Sequence, residues 1–506
     1  PVQDLMANEL LKNKLSKLKN NGFFNNLVIK RGIEKEFFRV SNNGYLSKKP
    51  HPESLGSALT NKYITTDFAE AQLELVTPVF EDVNDLYDFL YSLHLFVAQN
   101  IDKNEVLWPF SMPPRIKKES DIHLGYYHQS NIGLLKHVYR RGLKVRYGPT
   151  MQCVSGMHYN FSIKPSSLAI FTESSDQKDI DNAYLGLIRN FKRLFWFVLT
   201  EFGQTNVVDK TFVKNRDHIL KELNDEDMYL KNATSLRMSE IGYQSKAQKD
   251  LGIKYNTLPS FLKKIKDAIT IPYPEFEKKG LRKSNGDLHQ ISNGIIQIEN
   301  EYYDSIRPKR SSSNNMRPYE LLKNFGIEYV EIRGIDISPY DLTGMSIHQI
   351  HFLDLILLYC LINPSPEISN DEKNEIDSND FKAIYEGRDK STEISINGIK
   401  TDIGSAREKV IKDLKLIAGH LKENHKAQDS IEHTLKTKKG IILDNAFHDE
   451  GLEKAKNNTK TLRSDDSKNI DGIKKEAELS LEELSKIQKN SDEEMDEYVK
   501  SYNLNL

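Results

Sequence analysis

Cysteine is almost absent from this 506-residue chain, which contains only Cys153 and Cys360. That excludes a disulfide framework and fits a reducing compartment, so a cytoplasmic location is expected. Net charge is nearly absent as well, at −2 with histidine neutral. The total therefore offers no footprint for nucleic acid or for an anionic membrane surface. No run reaches the ~18 apolar residues of a bilayer-spanning helix. The first apolar stretch is too short, and too closely flanked by charge, for a signal peptide. Neither G-x-x-x-x-G-K-[ST] nor G-x-G-x-x-G occurs, so a nucleotide site here is neither P-loop nor Rossmann.

What the chain does carry is carboxylates at strand spacing. Arg31-Gly32-Ile33-Glu34-Lys35-Glu36-Phe37-Phe38-Arg39-Val40 is rich in β-branched and aromatic residues. Side chains at i and i+2 of a strand share a face, roughly 6.5–7 Å apart along it. Glu34 and Glu36 would project together, with Ile33 and Phe37 behind them. One such pair usually marks a solvated face; here the pattern recurs. From residue 69, Glu70, Gln72 and Glu74 alternate with Ala71, Leu73 and Leu75 until Pro78. In residues 151–162, His158, Asn160 and Ser162 share one face, and Tyr159 and Phe161 the other. In residues 326–333, Glu331 and Arg333 lie with Tyr329, opposite Val330 and Ile332.

Converging on one sheet, these four segments would build a polar wall backed by a hydrophobic core. Carboxylate oxygens with a single imidazole suit Mg²⁺, with Mn²⁺ as a substitute. Helical spacing predicts helices over 3–20, 81–100, 181–202 and 346–362, the last ending before Asn363-Pro364-Ser365-Pro366. Residues 367–381 are acidic and Asn/Ser-rich, and read as an exposed loop. Residues 404–425 and 473–500 read as charged helices joined through the polar segment 454–471. The shift after residue 365 divides the chain into a catalytic core, 1–365, and a charged, mainly helical extension, 366–506, packing on that core.

Six motifs carry a resemblance. RGIEKEFFRV (31–40), LGSALTNKYITTDFAEAQLELVTP (55–78), RYGPTMQCVSGMHYNFS (146–162), ATSLRMSEIGYQSKAQ (233–248), QIENEYYDSIRPKR (297–310) and YVEIRGIDISPYD (329–341) resemble the proteobacterial glutamate–cysteine ligases in order and spacing. The resemblance implies an α+β fold: a curved, largely antiparallel sheet forming a funnel-like, glutamine-synthetase-like active site with helices outside. It implies ATP-dependent joining of the L-glutamate γ-carboxylate to the L-cysteine amine through a γ-glutamyl phosphate. That is the first step of glutathione biosynthesis.

Residue by residue, the resemblance makes Glu34, Glu36, Asp67, Glu74, His158 and Glu331 the ligands of two or three Mg²⁺ ions. Glu70 points the same way less securely. Arg237 would hold the glutamate α-carboxylate, since a guanidinium is its bidentate partner, and Arg333 would neutralise the transferring phosphoryl group. Tyr139, Leu143, Gln152, Tyr243 and Tyr303 would form the cysteine pocket, with Arg140 as its gate. Arg307, Lys309 and Arg310, read as a Pro-anchored basic turn after the alternating stretch 297–302, would reach the ATP phosphates. Cys153 reads as a small buried hydrophobe. The expected partners are these small-molecule substrates, and the expected state is a monofunctional monomer. A different acceptor amine, or a nucleotide- or metal-binding protein without catalysis, are the competing readings.

Overall fold

The alternating segments become neighbouring strands. The computed structural model describes residues 2–242, 245–311, 316–489 and 495–506. The first strands are β1 (Ile29–Ser41), β2 (Ile64–Thr66), β3 (Gln72–Val76), β4 (Glu105–Leu107) and β5 (Gly156–Ile163). A small separate sheet follows, made of β6 (Val207–Asp209), β7 (Lys221–Glu222) and β8 (Asp227–Tyr229). Strands β9 (Ile306–Lys309) and β10 (Tyr329–Asp336) return to the large sheet; β11 (Glu393–Ile396) and β12 (Ile399–Asp402) form a hairpin. The large sheet runs β2-β3-β1-β5-β10-β9, with β4 on the far end of β1, and its pairings are antiparallel. The architecture is α+β, as expected.

One face of this sheet is core. Ile33, Phe37, Leu73, Leu75, Tyr159, Phe161, Val330 and Ile332 are buried there, each such side chain contributing about 1.5–3 kcal/mol of apolar burial. Over them pack the helices Val83–Asn100, Gln177–Phe202 and Ile347–Ile362. The last is apolar on all sides, as suits a buried helix. It starts at a capping box, in which Ser346 and Gln349 satisfy each other's backbone N–H groups. A polar triangle crosses this interface. Arg31 Nε donates to Asp354 Oδ2 at 2.7 Å, and the Tyr159 hydroxyl donates to Asp354 Oδ1. It pins β1 and β5 to the helix directly behind Glu34 and His158.

On the opposite face β1 serves a second core. Phe38 and Val40 continue the parity of Glu34 and Glu36, but pack with Phe68, Val106, Trp108, Cys153 and Phe447. Adjacent Phe37 and Phe38 thus belong to different cores.

The helices expected over 3–20, 81–100, 181–202 and 346–362 are found at Val2–Asn20, Val83–Asn100, Gln177–Phe202 and Ile347–Ile362. The acidic stretch 367–381 is not a loop. Only residues 367–369 are non-helical; the rest lies in the helix Asn370–Glu386, whose first turn is capped by Ser369 accepting from Glu372 N. Ile376, Ala383 and Ile384 form its buried stripe, and Arg193 binds Glu372 through two 2.8 Å contacts. The polar segment from 454 is also largely helical. Residues 454–464 fall in Phe447–Ser464, which buries Gly451, Ala455, Thr459 and Leu462 at helical spacing, and 465–470 connect it to the helix that starts at Asp471. Residues 404–425 divide into Ile403–Ala418 and Asn424–Lys436, and 473–500 into Asp471–Lys489 and Met495–Asn503. Ile403, Leu414 and Ile431 join the first core, so residues on both sides of position 365 share it.

Candidate active site

Strand register assembles the site. Glu34 lies opposite His158, Glu36 opposite Glu74, and Glu331 opposite both Asn160 and Arg307. Directly opposed residues of an antiparallel pair have Cβ atoms about 4.5–5.5 Å apart, and like charges there repel. The Glu36/Glu74 pair is therefore costly by itself. Asp67, at the turn between β2 and β3, joins the same end. All six acidic and histidine candidates line one cavity of about 440 Å³, a volume that suits a small-molecule site.

His158 is the hub. Its Nε2 lies 3.1 Å from Glu36 Oε1, and its Nδ1 lies 3.6 Å from Glu34 Oε2 and 3.9 Å from Glu331 Oε1. Burial pulls its pKa down, but the hydrogen bonds it donates to Glu34 and Glu36 overcome this and hold it at about 10. Glu36 is 3 % exposed. Burial raises it, yet the His158 hydrogen bond and charge, with Arg237 and Arg333, leave it below the usual carboxylate range. Glu331 is held well below that range: Lys309, Arg307 and His158 outweigh its burial. The other acidic end behaves oppositely. Burial and Glu36 push Asp67 up to about 6, and burial with Asp67, Glu34 and Glu36 pushes Glu74 well above its normal value.

The cavity is thus acidic at β1/β3 and already neutralised at β9/β10. Arg307 Nε donates to Glu331 Oε2 at 2.8 Å, and Arg333 Nε lies 3.7 Å from the same oxygen. The donor set fits a hard divalent cation. Ligand atoms of Glu34, His158 and Glu331 all lie within 4.8 Å of one another, and Glu36, Asp67 and Glu74 also line the cavity. Asn160 Nδ2 donates to Glu34 at 3.3 Å and orients that carboxylate.

The facing wall comes from the helix Asn131–Tyr147, capped by Ser130 accepting from Gly133 N at 3.2 Å. Tyr139, Arg140 and Leu143 lie on it and line the cavity, as do Gln152 from a 3₁₀ turn and Tyr303. Arg140 is tied down in this structure: Nε donates to the Asp67 carbonyl at 2.6 Å and Nη1 to the Lys136 carbonyl at 2.9 Å. Gly142 lets the helix approach the 297–301 turn, since a Cβ there would sit 2.1 Å from Gln297 Oε1. Tyr303 stands between Met238, whose sulfur its hydroxyl meets at 2.9 Å, and the Arg333 guanidinium, 5.2 Å from its ring centroid. Beyond Tyr303 a second cavity of about 220 Å³ opens, lined by Lys192, Asp304, Asp377 and Asp380 among others.

Several candidates stand elsewhere. Arg237 is fully buried behind the wall. Its Nε donates to Asp336 Oδ1 at 2.7 Å and its Nη2 to the Ile335 carbonyl at 2.9 Å. A Cβ on Gly156 would lie 2.7 Å from its Nη1, so the absence of that atom admits the guanidinium beside β5. The basic turn is really an edge strand, β9, and Pro308 is tolerated there because an edge N–H has no partner to lose. Arg307 and Lys309 share the inward parity and line the cavity. Arg310 has the other parity, and its Nε donates to the Gly326 carbonyl at 2.7 Å. Residues 299–301 form a 3₁₀ turn, not a strand. Glu70 precedes β3 and clamps a loop, accepting from His51 N at 2.9 Å and Tyr126 N at 2.7 Å. Cys153 is buried, and burial pushes its thiol far up. Tyr243 lies outside the described residues.

Sequence reasoning missed Lys136, Asn300, Glu301 and Tyr502, all on the cavity wall. For Lys136 a signal existed: Ile132, Lys136, Tyr139 and Leu143 follow helical spacing. Burial pulls Lys136 down to about 8.

Comparison with known proteins points one way. The family model described as glutamate-cysteine ligase matches residues 13–383. A glutamate–cysteine ligase of Pseudomonas entomophila is 42 % identical over 399 residues, covering 78 % of this chain and 75 % of the relative. One from Baumannia cicadellinicola is 41 % identical over 420 residues, covering 82 % and 78 %. Among solved structures, the Francisella tularensis glutamate–cysteine ligase in complex with AMP superposes with a TM-score of 0.88 at 30 % identity, covering 94 % of this chain and 98 % of that one. A bifunctional glutathione synthetase from Pasteurella multocida shares the fold, with a TM-score of 0.63 at 20 % identity; this chain spans 54 % of it.

Proposed function

The chain belongs to the glutamate–cysteine ligase family, and from that premise we propose that it makes γ-glutamylcysteine from ATP, L-glutamate and L-cysteine through a γ-glutamyl phosphate. The observation that carries this reading is the cavity's division. The opposed carboxylates of Glu36 and Glu74, with Asp67 near them, call for cations, while Arg307, Lys309 and Arg333 stand ready for phosphate.

Transfer of a phosphoryl group onto an anionic carboxylate requires its charge to be spread over fixed partners. Arg333 and Arg307 can supply this, because Glu331 already orients both guanidinium groups. Glu34, Glu36, Asp67, Glu74, His158 and Glu331 would hold two or three Mg²⁺ ions, or Mn²⁺ in their place. When bound, the ions would neutralise phosphate and carboxylate charge together. Arg237 would present its guanidinium to the glutamate α-carboxylate from beside Gly156. Tyr139, Leu143, Gln152 and Tyr303 offer the aromatic and apolar walls on which a thiol side chain packs. Tyr243 is assigned with them from the sequence, and Arg310 supports β9 from outside.

This reading places a monomeric enzyme in the cytoplasm, acting on small molecules alone. Both cysteines are free and buried, which supports a reducing setting. Among the described residues, no helix is long and apolar enough to cross a membrane. The test is phosphate release from ATP and Mg²⁺ with L-glutamate, without and then with L-cysteine, and mass analysis of the product. Release that needs both amino acids, with a γ-glutamyl dipeptide formed, is expected. Turnover only with another amine would change the acceptor, and none with any amine would sink the ligase reading.

A further inference from the structure

Apart from the walls assigned above to the thiol side chain, the cavity has a second uncharged corner. Ile132, Leu135, Ile298 and Tyr502 meet there. Tyr502 arrives from the helix Met495–Asn503, well beyond residues 13–383 that the family model matches. Its position is fixed by two independent anchors. Val499 of the same helix is buried against Leu135, Val138 and Ile291. Arg317 donates from Nη1 to the Tyr502 carbonyl at 2.9 Å, and its guanidinium lies 4.2 Å from the ring centroid. Glu299 in turn holds Arg317 through contacts of 2.7 and 2.9 Å. The result is a pre-oriented aromatic ring, backed by a cation and facing a cavity.

Of the three substrates in the proposed reaction, only ATP has a planar, weakly polar end. The carboxylates, arginines and lysines elsewhere in the cavity suit phosphates and amino acids. We propose that Tyr502 seats the nucleobase of ATP, so that the C-terminal helix completes the nucleotide site. This rests on the ligase reading for its substrate, and adds a positioning residue to it.

The test uses the full chain with Mg²⁺, and titrates ADP and inorganic tripolyphosphate into wild type, Tyr502→Ala, Tyr502→Leu and Tyr502→Phe by calorimetry. Stacking of a base on an aromatic ring is worth about 1–3 kcal/mol by alanine substitution, or about 5- to 150-fold. Tyr502→Ala should weaken ADP binding and raise the ATP KM by that factor, leaving tripolyphosphate affinity and the KM values for glutamate and cysteine within about twofold. Tyr502→Phe should behave as wild type. Tyr502→Leu keeps the packing on Leu135, and should lose ADP affinity even if the alanine variant misfolds. Unchanged ADP affinity in folded Tyr502→Leu overturns the proposal. So does an equal loss of tripolyphosphate affinity, or a loss in Tyr502→Phe as large as in Tyr502→Ala. Wild-type protein that binds ADP but forms no dipeptide would instead overturn the ligase reading, and leave the Tyr502 comparison legible.

Discussion

Arg237→Lys separates two roles that the structure superimposes on one side chain. The lysine keeps a positive charge beside Asp336, whose Oδ1 takes Arg237 Nε at 2.7 Å. It loses the Nη2 donation to the Ile335 carbonyl at 2.9 Å and the longer one to the Arg333 carbonyl at 3.4 Å. Hydrogen bonds from charged donors contribute about 1.5–3 kcal/mol each, and since the 3.4 Å contact is weak, a stability loss of about 1.5–3 kcal/mol is expected from the 2.9 Å bond. If the guanidinium also clamps glutamate, replacing a fork by a point charge costs a similar amount again in substrate affinity. The glutamate KM should then rise about 10- to 100-fold, with the ATP and cysteine KM values nearly unchanged. Initial rates at saturating ATP and cysteine, alongside thermal melts, give both quantities. A lowered Tm with a glutamate KM within about twofold of wild type would refute the clamp and leave Arg237 as a prop for Asp336. Gly156→Ala provides the converse check. It retains Arg237 but sets a Cβ 2.7 Å from its Nη1, and should raise the glutamate KM in the same direction.

Glu36→Gln should abolish dipeptide formation while the protein still melts cooperatively; wild-type rates at ordinary Mg²⁺ would sink its assignment as a ligand. Adding Mg²⁺ after chelation should raise the Tm of wild type, because it relieves the Glu36/Glu74 opposition, and should raise it less in Glu74→Gln; equal shifts would count against that site. Asp354→Asn leaves the buried Arg31 guanidinium without a charged partner, and should cost about 3–5 kcal/mol in denaturant titrations. Asp380, whose Oδ1 takes no hydrogen bond among the described residues, is raised by burial to about 8. An acid with a raised native pKa binds its proton more tightly when folded, so the cost of ionising it grows as pH rises from about 4 to about 8. Asp380→Asn should therefore stabilise the protein more at pH 8 than at pH 5; a pH-independent effect would refute the burial argument.

The four alternating segments were legible because period two leaves no choice of face once one side is apolar. Ile33 and Phe37 had to turn inward, and that exposed Glu34 and Glu36 to the cavity. Where composition stood in for period, the reading failed. The stretch 367–381 looked like a loop because its surface is acidic, although Ile376, Ala383 and Ile384 already mark a helix stripe. Parity also explains the basic cluster: Arg307 and Lys309 turn inward and Arg310 does not. Tyr502 and Arg237 illustrate a different limit. Nothing local to either residue says that one meets the helix Asn131–Tyr147, or that the other slips beside Gly156. Those placements arise only when distant segments pack.

The double duty of β1 bears on how genes of this kind can change length. Ile33 and Phe37 face the first core, while the residues of the other parity pass from the cavity, at Glu34 and Glu36, into the second core, at Phe38 and Val40. Gain or loss of one codon there would invert the strand downstream of the lesion. Insertion just before Glu34 would carry its carboxylate and that of Glu36 into hydrocarbon, and expose Phe37 to the cavity. A two-codon change would restore parity but slide Glu36 off Glu74. Point substitutions can be sampled here one at a time, whereas a single-codon change in length displaces every side chain downstream at once.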